Sequence, residues 1–200
     1  MLYDYFSRKS SGLAVADIPE VLFFTFCLIL SAWAVFRLHD AVQTFFLRKD
    51  SPEKKPWLRT EIRKPDTWIS LLYLVLFGIA WRPSVSHGKK TRRTGLLIAL
   101  SGPFACFLLS VVAFGAIRLA VLLKLFYLRL AAKALFRTAF YTAVFSLFPL
   151  PPYDGGTFLT ALLPERVQGG FEKSSGLAPV LLYTAGLFLA LFDFIPFPIL

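Results

Sequence analysis

His39-Asp40-Ala41-Val42-Gln43 lies at the end of a long apolar run, and its spacing is that of a metal-binding helix with two positions exchanged. In the H-E-x-x-H pattern two imidazoles four residues apart share one helical face and hold a zinc ion, and the glutamate activates the metal-bound water. Here the first imidazole stands as His39, Asp40 takes the glutamate place and Gln43 takes the second histidine place. An ionisable pair at bilayer depth is costly enough to need a partner. A second stretch, Pro149-Leu150-Pro151-Pro152-Tyr153-Asp154-Gly155-Gly156, presents one carboxylate on a rigid turn, followed by glycines that let another backbone approach closely. A third, Ser101-Gly102-Pro103-Phe104-Ala105-Cys106, offers small residues for close helix packing.

The elements that must position these residues are membrane helices. Apolar residues make up 56% of the 200 positions and charged residues 17%, and the apolar ones form runs far longer than a water-soluble core helix needs. The first span starts at Val21, passes Phe36 and continues through the His39 cluster to about Leu47. Pro19 and Glu20 suit its first turn. Ala32-Trp33-Ala34 resembles a signal-peptidase site, but Asp17 and Glu20 flank the apolar segment where a signal peptide carries basic residues, so the span is read as retained. Thr67 to Trp81 is short: fifteen residues at about 1.5 Å each do not cross a roughly 30 Å core, and a re-entrant or shallow segment is preferred to a short span. Thr94 to Phe126 is a long helix that Pro103 should bend. Ala131 to Leu150 is the next span, ended by Pro149, Pro151 and Pro152, and Leu177 to Leu200, with Asp193, is the last.

The expected fold is therefore an all-α polytopic membrane protein with about four full transmembrane helices plus one short re-entrant or shallow segment. It is a single integral-membrane domain over 1–200, with an N-terminal flank at 1–18, basic cytoplasmic loops at 48–66 and 82–93, and a Pro/Gly-rich loop region at 149–176. The net charge of +10 does not point to nucleic acid, because the basic residues cluster at the ends of apolar segments with no aromatic-basic face. Their distribution places the N-terminus outside and the His39 cluster on the same side as the Pro151–Gly156 loop. Cys27 and Cys106 lie in apolar runs and imply no disulfide framework. The Arg48–Lys64 stretch reads as a solvated loop or a dock for acidic partners or anionic lipid heads.

In this order the three motifs resemble the site-2 protease family of intramembrane zinc metalloproteases, particularly its compact bacterial branch. There an H-E-x-x-H helix precedes a G-P-x-x-N helix and an N-x-x-P-x-P-P-x-D-G segment whose aspartate is the third zinc ligand. The resemblance covers about Trp33 to Pro164 and is most specific from Leu147 to Gly156. It implies that His39, Gln43 and Asp154 stand at the metal-ligand positions, Asp40 at the general-base position, and Cys106 and Ser146 where the family has asparagines near the metal. Lys64-Pro65-Asp66-Thr67-Trp68 resembles a family segment whose nearby histidine would fall at Trp68.

The departures indicate a degenerate member. A glutamine amide is a much poorer zinc ligand than imidazole, so only His39 and Asp154 remain as strong donors where a catalytic zinc has three. Asp40 is one methylene shorter than glutamate, and moving a base by about 1 Å costs on the order of a hundredfold in rate. The expectation is a catalytically inactive structural or binding subunit of a membrane complex, without a cofactor. Its partners would be other transmembrane proteins and lipids, and its location a bacterial inner membrane. Without metal, His39 and Asp154 should hydrogen-bond directly or through water, since an unpaired buried charge is expensive; Arg37 is a second candidate to neutralise Asp40 or Asp154. The alternatives are an active zinc metalloprotease using His39, Gln43 and Asp154 with Asp40 as base, and ion or proton conduction through Asp154.

Overall fold

Helix α1, Ile18–Arg48, is the first described element of a helical bundle. Its buried positions recur as Cys27/Leu28, Ser31/Ala32, Val35/Phe36, His39/Asp40 and Gln43, one stripe at helical spacing. The opposite side carries Leu22, Phe26, Trp33 and Phe45, each more than half exposed. The inner stripe mixes polar and small residues with Leu28, Val35 and Phe36, and the large apolar side chains left on the outside suit a lipid surround. The computed structural model describes residues 18–48, 65–77, 80–82, 84, 92–173, 180–181 and 184.

The remaining helices are α2 (Pro65–Phe77), α3 (Arg92–Leu122), α4 (Phe126–Ser146), α5 (Asp154–Leu162) and α6 (Glu165–Lys173). Among the described residues there is no strand, as the all-α expectation requires. Helices α1 and α3 are long and apolar enough to cross a membrane. Helix α3 buries Gly95, Ala99, Gly102, Cys106, Ser110 and Ala113, small residues that let α1 and α4 come close, and it continues unbroken through Pro103. Helices α3 and α4 form an antiparallel hairpin, α1 packs along both, α5 packs on α3, and α2 leans on α1.

Three sequence expectations change. Helix α4 begins at Phe126, five residues before the expected span, because Arg129 lies within the helix instead of in a loop before it; with Lys133 and Arg137, three cations lie within α4. The 149–176 region is not a loop throughout: α5 and α6 occupy much of it, since Asp154 favours a helix start and the Gly155-Gly156 pair falls in the first turn, where it does not break the helix. Arg82, assigned to a basic cytoplasmic loop, is buried. The N-terminal flank, loop positions 49–64, most of 82–93 and all but three positions of the expected tail span lie outside the described residues.

Candidate polar site at the junction of α1, α3 and α5

Asp154 is the first residue of α5, where the positive end of the helix dipole favours a carboxylate. The turn before it is built for close approach. A Cβ on Gly155 would fall on the Leu147 carbonyl and one on Gly156 on the Leu150 carbonyl, so only glycine lets α5 start against its own incoming chain. This drives the fully buried Asp154 into the α1 stripe. There His39 Nε2 lies 2.7 Å from Asp154 Oδ2, and Gln43 Nε2 donates to Asp154 Oδ1 at 2.6 Å. The direct His39–Asp154 contact expected from sequence is present.

Donor and acceptor capacities fix the roles. An ionised carboxylate only accepts, so Gln43 turns its NH2 toward Asp154 and His39 Nε2 carries the proton it donates. The Nδ1 of His39 faces Asp40 Oδ1 at 3.5 Å. The Asp40 carboxylate is gripped in a fork: Arg82 Nη2 donates to Oδ2 at 2.6 Å and Arg82 Nε to Oδ1 at 3.2 Å. The guanidinium also lies over the Phe36 ring at 5.4 Å. Arg37, the cation considered from sequence, lies over Trp33 instead, 5.5 Å from the ring centre.

The segment that delivers Arg82 is pinned at both ends. Ser70 Oγ of α2 donates to the Trp81 carbonyl at 2.8 Å and accepts from the Trp81 amide at 3.0 Å, and the Ser84 amide donates to the Pro152 carbonyl at 2.8 Å. Trp81 is fully buried in an aromatic cluster with Tyr141, Phe145 and Tyr153. Ala80, Trp81, Arg82 and Ser84 thus form a strap tied to α2 at Trp81 and to the proline turn at Ser84, with Arg82 reaching the polar site. Sequence reasoning missed Arg82, Trp81 and Ser70; the signal available was a Trp-Arg pair ending an apolar segment, which was read as a membrane flank.

Gly102 of α3 forms the floor. A Cβ there would sit 2.5 Å from His39 Nε2 and 2.7 Å from Gln43 Nε2, so the polar pair occupies the space that glycine leaves. Gly102→Ala is expected to push both side chains off Asp154 and cost about 1–3 kcal/mol, as overpacking of a filled core does, read as a lowered unfolding midpoint in detergent. Cys106, one turn further along α3, is fully buried. Ser146 is also buried, with its hydroxyl donating to the Thr142 carbonyl of its own helix at 2.5 Å. Trp68, where the resemblance led to a histidine being expected, is 60% exposed, whereas the residues of this cluster are buried.

Neither a family model, nor a curated protein, nor a solved structure matches this chain. Zinc holds nitrogen and oxygen ligands at about 2.0–2.2 Å in a tetrahedron, which sets ligand atoms roughly 3.4 Å apart. At 2.7 Å, His39 Nε2 and Asp154 Oδ2 are at hydrogen-bond distance and leave no room for an ion between them. Gln43 presents N–H donors, and among the described residues no group of three His, Cys, Asp or Glu side chains is arranged to hold a metal. The residues as placed do not fit zinc.

Proposed function

We propose that the chain is a catalytically inactive, site-2-protease-like membrane protein that serves as a structural or binding subunit of a membrane complex. In this reading four transmembrane helices and the short α2 segment sit in a bacterial inner membrane with the N-terminus outside, and the partners are other transmembrane proteins and lipid. One observation carries it: the side chains at the three metal-ligand positions hydrogen-bond one another, while the carboxylate at the general-base position is held by Arg82. Arg82 pairs with Asp40, and His39 and Gln43 donate to Asp154, so each carboxylate is satisfied by side chains of the chain itself.

Such an interlocked cluster fastens α1, the α2 strap and α5 to one another without performing hydrolysis. The expected result is that the native protein, extracted in mild detergent, co-purifies with a transmembrane partner, holds substoichiometric zinc, and leaves membrane-embedded model substrates intact. Stoichiometric zinc together with cleavage that stops on His39→Ala would establish the active-protease alternative and overturn this reading.

A further inference from the structure

At the end of the bundle away from the polar site, three cations gather on one flank of the α3–α4 hairpin. The Phe114 and Phe136 rings meet at 6.0 Å and set the register between the two helices. Arg118, one turn beyond Phe114 and lying over its ring at 5.3 Å, is thereby level with position 132 of α4. Arg129 and Lys133 are four residues apart and, at seven and three residues from Phe136, share its face. Both are half-buried. The Arg129 Nε is removed from solvent and has no hydrogen-bond partner.

Arg129 and Lys133, one turn apart, repel each other, and among the described residues no carboxylate is paired with them or with Arg118. Asp40 and Asp154 are committed to the cluster at the other end. An incoming anion is the chemistry that would satisfy this flank. Depth decides which anion. Arg118 lies roughly 6 Å before the end of α3, and Arg129 and Lys133 roughly 5 and 11 Å after the start of α4. The hairpin tip around them exposes Leu122, Phe126 and Tyr127, an apolar and aromatic collar of the kind found where hydrocarbon meets headgroups. Long basic side chains at this level extend toward lipid phosphates.

We infer that Arg118, Arg129 and Lys133 form a binding site for the phosphate headgroup of an anionic phospholipid. This goes beyond the subunit reading and needs only that the hairpin lie in a membrane. The test is native mass spectrometry of the full chain after equilibration with mixed phosphatidylcholine and phosphatidylglycerol micelles. The wild-type chain is expected to retain phosphatidylglycerol selectively. Each cation near a membrane surface is worth about fivefold, so R118Q/R129Q/K133Q should lower that retention on the order of a hundredfold. Arg92→Gln at the opposite end should leave it unchanged. Arg129→Gln alone, with an expected loss of roughly fivefold, carries the test if the triple variant does not elute as a folded monodisperse species. Equal retention of both lipids, or selectivity that survives the triple variant, would overturn the site. So would a co-purifying acidic transmembrane protein lost on the triple variant with lipid selectivity intact. Phosphatidylglycerol binding that emerges only on Asp193→Asn would assign the flank to the chain's own tail instead.

Discussion

Arg82→Ala is expected to be among the most damaging single substitutions in the chain, lowering stability by about 3–5 kcal/mol in detergent unfolding. The loss is not that of one attractive contact. Removing the guanidinium strands Asp40, 7% exposed and in an apolar bundle, with only the distant Nδ1 of His39 beside it. It also frees the strap over the polar site and empties the space over Phe36. The control that separates these effects replaces both partners: Asp40→Leu with Arg82→Met should recover most of the lost stability, because a buried ion pair exchanged for packed apolar groups is often neutral. A cost for Arg82→Ala below about 0.5 kcal/mol, the size of an exposed pair, would mean that the Asp40–Arg82 fork does not hold the strap.

Much of this architecture is legible in the residues, and the parts that are not share a cause. The first span is legible, as an apolar run that ends in His39, Asp40 and Gln43, while the stripe that it buries shows only in the structure. The contact of Asp154 with His39 is expected from their shared side and from the positions they take in the resemblance, whereas the bond from Gln43 and the steric demand on Gly155 and Gly156 are seen only in the structure. Arg82 is illegible for a physical reason: a basic residue after an apolar segment is ordinarily a membrane flank, and although the segment before it is too short to cross, nothing local names the carboxylate that it meets. Its partner Asp40 lies 42 residues away. The start of α4 is misplaced on the same ground, since Arg129 looks like a boundary when only the segment's own hydropathy is weighed. In each case a charge satisfied, or left to be satisfied, across the fold was read as one that ends an element.

Gln43→His is expected to convert the cluster into a metal site, raising zinc affinity by at least about a hundredfold, since even a change outside the ligand sphere can reach that size. The substitution supplies a second imidazole four residues after His39 on the same helical face, and with Asp154 makes the three strong donors that a zinc ion needs. The ring would take the place of the amide, in the space over Gly102 that the Gln43 side chain already fills. Removing the amide also releases Asp154 Oδ1 from its 2.6 Å hydrogen bond, so the carboxylate can turn toward an ion. Elemental analysis should then approach one zinc per chain for Gln43→His, fall back on adding Asp154→Ala, and stay well below one for the wild type. Cleavage of a membrane-embedded substrate should remain at background even with zinc bound, because Asp40 is still held by Arg82 and is not free to take a proton. Wild-type protein that binds as much zinc as Gln43→His would show that an amide suffices here and would remove the ground for calling the centre inactive.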